Sequence, residues 1–391
     1  LGQIGPQAIN KTTIINKTFI AFRCTLCAIF WRAFIKRDNV HNVDVRAIDV
    51  GYFATKFTLG RRKSDGDLGL GIFPSLAPRI TSQSNYATEL TRQPKGVRVT
   101  VGNADYFVGP DAVTYSSGLE PRDVLTDYSY TDKYLALVRG ALHCVSRAEN
   151  HPAELIVESL VLGLPLNTYP SHKDALIQRV KGEHVFQSPN GNSYRVTTPD
   201  IRVIVQPQGG LLAFGARKND VFKSNNWNLV IDAGGGTLDW FVSRGKLPNW
   251  ARSGAHAKGM LACAYAVSDL INPMWRDKYE VVERIDAAIR QLKPTFQVGA
   301  KEYDLAQYAG VIEAIWAEST NRMLATLGGS IDDFDFVLFT GGGASACHAY
   351  MKKRFPHLAS AMQLDDDPVY ANVRGFHLAG ELIARTQKRV G

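Results

Sequence analysis

Three consecutive glycines set between two apolar runs constrain this chain more than any other feature. Residues 228–241 read Asn-Leu-Val-Ile-Asp-Ala-Gly-Gly-Gly-Thr-Leu-Asp-Trp-Phe. Leu229, Val230 and Ile231 have the continuous apolar character of a buried strand; Asp232 stands at its end, and a second strand starts near Leu238. Gly234, Gly235 and Gly236 carry no Cβ, so their backbone can approach a ligand that other residues would hold off. Oriented N–H groups suit phosphate oxygens. The neighbouring carboxylate is placed to hold a Mg2+ ion or the water around it. The plainer alternative is a hairpin with a glycine-rich turn, in which Asp239 pairs across the hairpin or caps it.

Two further stretches share this design. In residues 45–57 a strand runs into Asp49-Val50-Gly51 and returns as a second strand carrying Lys56. In residues 334–345 a strand ends in Gly341-Gly342-Gly343 and then opens a helix. The ordered set implies two similar halves closing on one nucleotide. Between them, residues 201–205 form a strand that ends in Gln206-Pro207-Gln208-Gly209-Gly210 before a helix around 211–215. A polar side chain at such a strand end faces whatever occupies the cleft, and the plain reading is an amide that stabilises the turn.

In this order the motifs resemble the actin, Hsp70 and sugar-kinase superfamily. From residue 43 to residue 390 the chain is most similar to the bacterial actin-like plasmid-segregation family of the ParM/StbA type, PRTRC-system D proteins in particular. The resemblance implies an α/β fold, the actin-like ATPase fold of duplicated ribonuclease H-like domains, with a nucleotide cleft between the two. It implies ATP and Mg2+ as cofactors. Asp49 and Asp232 would hold the metal, mostly through water. Gly51, Tyr52, Thr55, Gly234, Gly235, Gly236 and Thr237 would wrap the β and γ phosphates, and Lys56 would neutralise part of their charge. Gly341, Gly342 and Gly343 would line the adenosine, with Lys258 toward the ribose, while Asn372 and Gly375 resemble the second connecting segment.

Gln208 and Asp232 are the catalytic candidates by this resemblance, with Gln206 as a rival for the amide that positions the attacking water. A Gln can orient water but cannot take its proton, which implies slow hydrolysis. One departure is Phe53-Ala54, where relatives place small or polar residues. A bulky Phe there is expected to push the first loop outward.

The resemblance further implies nucleotide-dependent filaments of the protein with itself, a DNA-bound adaptor protein as partner, and the bacterial cytoplasm as location. Sequence-specific contact with nucleic acid is not expected. The competing readings are a small-molecule kinase of the same fold and a nucleotide-binding scaffold that does not polymerise. No carboxylate base stands out in a substrate loop for the kinase.

With 391 residues, 45% of them hydrophobic, the chain can bury two cores. The expected division is an extension over 1–42, a first domain over 43–213, a second over 214–366, and a C-terminal helix over 367–391 that returns to the first. Within these, a loop is expected at 66–78, a hairpin at 97–109, a helix capped by Asp132, a strand at 155–164, a helix at 173–181 and a strand pair around Asn190-Gly191. Helices are expected at 261–270, 279–292 and 305–327.

The net charge of +8 comes from Lys and Arg scattered along the chain, which describes a solvated surface better than a nucleic-acid face. Five cysteines, an odd number, argue against a disulfide framework and for a reducing compartment. Residues 1–42 read either as a disordered extension or as translation assigned too far upstream, with the native start near 41–43. Inside them, residues 19–35 are apolar but carry Arg23 and Arg32, which makes a poor membrane anchor. Cys24 and Cys27 have redox spacing without the context of a redox site.

Overall fold

The computed structural model describes residue 2 and residues 40–80, 94–119, 124–187 and 193–390. The apolar stretch 19–35, the Cys24 and Cys27 pair and the Asn190-Gly191 turn lie outside the described residues.

The chain begins with a three-stranded meander, β1 (Val40–Val50), β2 (Ala54–Arg61) and β3 (Leu68–Pro74). A small hairpin of β4 (Val97–Val101) and β5 (Ala104–Val108) follows, then α1 (Asp132–Ala148), β6 (Glu154–Leu164), α2 (Tyr169–Val180), β7 (Gly182–Gln187), β8 (Ser193–Thr198) and β9 (Ile201–Val205). The first sheet has the order β3-β2-β1-β6-β8-β7, with β9 also paired to β6. The next elements are α3 (Gln206–Arg217), β10 (Trp227–Ala233), β11 (Leu238–Arg244), β12 (Leu247–Pro248), β13 (Gly254–His256), α4 (Met260–Ile271) and α5 (Tyr279–Arg290). They are followed by β14 (Thr295–Val298), β15 (Lys301–Asp304), α6 (Ala309–Leu327), β16 (Phe336–Thr340), α7 (Ala344–Arg354), β17 (Met362–Leu364) and α8 (Ala371–Val390). The second sheet has the order β12-β11-β10-β16-β17, with β13 on β11.

Both sheets are built on one plan. An antiparallel hairpin, β1 with β2 or β10 with β11, lies beside a parallel strand, β6 or β16. Each sheet has its own core, one around Ile48, Leu142 and Leu162, the other around Ile231, Val267 and Phe339. The central strands are buried along most of their length, as in a sheet covered on both faces.

Two helices join the halves. Leu211 and Phe214 of α3 pack on Val230 and Phe241 of the second sheet, while Val373 and Phe376 of α8 pack on Val45 and Val161 of the first. The helices α3 and α8 also pack on one another through bare backbone. A Cβ on Gly375 would stand 1.8 Å from the Gly209 carbonyl oxygen. The expected boundary at residue 213 therefore falls inside α3.

Several expectations are corrected. The 66–78 loop is mostly the strand β3, paired to β2 through Phe57↔Gly71. Its glycines make room for neighbours, since a Cβ on Gly71 would meet the Phe57 ring at 2.3 Å. Thr131, not Asp132, caps α1, its Oγ1 accepting from the Tyr134 N–H at 3.2 Å. Asp132 opens the first turn and pairs with Arg179 at 2.6 Å. Helix α3 starts five residues before the expected 211, because Pro207 is tolerated in a first turn and the glycine pair is needed at the contact with α8. Among the described residues, no helix is long and apolar enough to cross a membrane.

Candidate functional site

The ends of both hairpins, the start of α3 and the start of α8 border one cavity of about 310 Å³ between the sheets. The parallel pairing of each hairpin with its neighbour aims Asp49 and Asp232 toward it from opposite halves.

Both oxygens of Asp49 are engaged. Lys56, its cross-strand partner, approaches Oδ2 at 3.2 Å, and the Gln206 amide donates to Oδ1 at 2.7 Å. Because a carboxylate can only accept, this bond fixes the Gln206 amide and leaves its Oε1 as an acceptor. Asp232 accepts from Asn372 Nδ2 at 2.6 Å and sits in register with Asp239. Asp239 lies deeper, accepting from the Thr237 hydroxyl and from the Leu166 N–H at 2.8 Å.

Burial, then the charge of Asp239, pushes the Asp232 carboxyl up to about 7, against the pull of Asn372. Burial likewise raises Asp239 to about 6. Asp49 and Asp232 border the cavity with Asp239 behind them and one lysine beside them, a buried acidic excess of which the two bordering carboxylates are donors that suit a hard cation. Among the described residues, no group of three or more His, Cys, Asp or Glu side chains converges on one point. A cation here would draw on one or two carboxylates together with water or ligand oxygens.

The glycines have separate tasks. Gly341 has φ +90° and lies so close to Asp232 that a Cβ would stand 2.2 Å from Oδ1. The Gly343 N–H donates to the Ala233 carbonyl at 2.8 Å, tying the third glycine stretch to the end of β10. Gly342 faces open space, with Arg290 Cδ nearest at 3.9 Å. The Gly234 N–H closes its own turn on the Thr237 carbonyl at 2.9 Å. Among the described residues, the N–H groups of Gly235 and Gly236 take no backbone partner.

Sequence reasoning missed what covers those two glycines. A Cβ on Gly236 would lie 2.4 Å from the Tyr52 ring, and one on Gly235 would lie 2.6 Å from the Phe53 ring. Phe53 thus lies across the cleft against the second loop. Tyr52 is anchored by donating to the Leu125 carbonyl at 2.7 Å and by stacking on Tyr128 at 4.8 Å.

The expected site residues divide as follows. Asp49, Gly51, Tyr52, Lys56, Asp232, Gly234, Gly235, Gly236, Thr237, Gly341, Gly342 and Gly343 all border the cavity. Three do not. Thr55 is buried beneath the first loop, with its hydroxyl 2.9 Å from that of Ser75. Lys258 is drawn away to Glu318 at 2.6 Å, and Met260 reaches the cavity in its place. Gln206, not Gln208, meets Asp49: α3 begins at Gln206, and side chains two residues apart on a helix diverge by roughly 200°. Tyr134 and the pair Asp286 and Arg290, joined at 3.4 Å, also border the cavity, and no local motif announces them.

The family described as the N-terminal domain of actin-like proteins matches residues 47–209. No curated protein matches the chain by sequence. Among solved structures, apo pSK41 ParM is 18% identical with a TM-score of 0.60, over 90% of this chain and 100% of that one. The 15-stranded ParM filament from Clostridium botulinum is 18% identical with a TM-score of 0.64, over 87% and 99%. The archaeal actin homologue Ta0583 in complex with ADP is 19% identical with a TM-score of 0.63, over 87% and 100%. With an actin-like domain matched over 47–209 and whole-chain likeness to these structures, the protein has the actin-like fold.

Proposed function

We propose that this protein is a slow, Mg2+-dependent ATPase that assembles into nucleotide-dependent filaments and segregates a plasmid or related mobile element. The observation that carries the reading is the convergence of Asp49, Asp232 and Gln206 with two glycine turns on one cavity between the halves. The buried acidic excess there supports Mg2+ held by Asp49 and Asp232, and the metal would offset charge on the phosphates. Gly235 and Gly236 would offer N–H groups to phosphate oxygens, Lys56 a positive charge, and Gln206 Oε1 an acceptor that orients the attacking water. Gly342 would leave room for the nucleoside beside Arg290.

Filament formation is supported by likeness to a solved ParM filament, and this likeness leads us to expect a DNA-bound adaptor and a bacterial cytoplasmic setting. The PRTRC type is the narrowest form of the same proposal.

High-speed sedimentation with light scattering tests it, on the full chain with Mg2+ and ATP, ADP or a non-hydrolysable triphosphate. Assembly that requires triphosphate supports the reading. Protein that binds ATP yet stays in the supernatant in every state would instead be a non-polymerising scaffold. The two glutamines give an independent check. Gln206→Ala is expected to lower the hydrolysis rate about 100-fold or more, whereas Gln208→Ala leaves it near wild type. The reverse ranking, read in single-turnover assays, would return the water-positioning role to Gln208.

A further inference from the structure

Tyr134 places a buried phenol beside the cavity. The residue lies in the first turn of α1 and is 2% exposed. Its position is fixed from two sides, by the Thr131 cap on its own N–H and by an edge-on contact with the Tyr128 ring at 5.4 Å. The hydroxyl nevertheless has no hydrogen-bond partner among the described residues. Buried polar groups are almost always paired, so a rigidly held orphan beside a cavity is a donor available to a ligand.

The surroundings narrow the ligand. Tyr134 borders the same cavity as Asp49, Lys56, Gln206 and the glycine turn at 234–236. Burial first, then the negative charge of Asp49, holds the phenol well above its ordinary range, so it stays a proton donor at any working pH. Asp49 does not take that donor: the contacts to its two oxygens come from Lys56 and Gln206. Tyr134 therefore borders, from the first half of the molecule, the same cavity that the glycine turn at 234–236 borders from the second.

We propose that the Tyr134 hydroxyl donates a hydrogen bond to the terminal phosphoryl group of a nucleoside triphosphate held in this cleft. This rests on the nucleotide reading above and adds a contact residue to it. A diphosphate lacks the accepting group, so Tyr134 discriminates triphosphate from diphosphate as well as aiding hydrolysis. A hydrogen bond to a charged acceptor corresponds to a change of roughly 10- to 100-fold.

The test is Tyr134→Phe in the full chain, which keeps the ring and its packing on Tyr128. Affinities for ADP and for a non-hydrolysable ATP analogue are measured with Mg2+, together with single-turnover hydrolysis and the thermal midpoint. The expected result is unchanged ADP affinity, analogue affinity and hydrolysis each reduced roughly 10- to 100-fold, and a midpoint no lower than wild type. Wild-type hydrolysis with an unaltered preference for triphosphate would overturn the proposal. So would equal loss of ADP and analogue affinity with a lowered midpoint, since that describes a structural role. Wild-type protein that binds neither nucleotide removes the nucleotide reading itself and this contact with it.

Discussion

Asp232→Asn is expected to abolish Mg2+-dependent ATP hydrolysis while raising the thermal stability of the ligand-free protein. The carboxylate lies 4% exposed opposite Asp239, and its own pKa of about 7 records how poorly the site tolerates its charge. In an unfolded chain the same group titrates near 4. A group whose folded pKa is raised contributes stability that is present below the unfolded pKa and lost as pH rises through the folded one. Replacing it with a neutral isostere removes that loss, and the new amide can still accept from Asn372. The gain in unfolding free energy should thus be larger at pH 8 than at pH 5, on the order of a few kcal/mol at the upper end. Hydrolysis should fall by about 100-fold or more, because a neutral amide is a poor ligand for a hard cation. Thermal melts at both pH values, with and without Mg2+ and ATP, check both halves of the statement. A variant that melts lower than wild type at pH 8 and keeps its activity would show that Asp232 is a structural anion.

Gly375→Ala should be among the most damaging single-methyl additions in the molecule. The new Cβ would fall 1.8 Å from the Gly209 carbonyl oxygen and 2.4 Å from its carbon, so backbone must move. Overpacking costs about 1–3 kcal/mol where side chains can yield, and more is expected where a helix backbone has to give. Gly310→Ala supplies the control, since that Cβ meets nothing within 4 Å on α6. There the same change should stabilise by about 0.5–1 kcal/mol. Denaturant unfolding of the two variants should therefore shift in opposite directions. Equal midpoints would mean that α3 and α8 are not pressed together at Gly209.

How much of this was legible in the sequence depends on the range of the forces involved. The hairpins ending in Asp49 and Asp232 follow from local patterning, apolar runs broken by turn glycines, and the fold follows from their order. What escaped was set by partners distant in the chain. Lys258 looks poised for a ligand until Glu318, on α6, takes it. Gln206 and Gln208 are equivalent by position in a turn, and only the early start of α3 separates them. The glycines of β3 read as loop because the Phe57 ring that fills their space belongs to another strand. Tyr134 reads as one more apolar residue on an amphipathic helix, and its orphaned hydroxyl is visible only in three dimensions.

The aromatic cover on the second glycine turn has a kinetic consequence. The halves meet at α3 and α8 on one side of the cavity, and again where Tyr52 and Phe53 rest on Gly236 and Gly235. Parting the halves at this contact means lifting two rings off the glycine turn, one of them tethered to the Leu125 carbonyl. Where the rings close again once a ligand is in, the step is crossed on arrival and on departure alike and slows exchange in both directions. A bound nucleotide would then be retained long after the free concentration around the protein had changed, and the two rings would set the length of that memory.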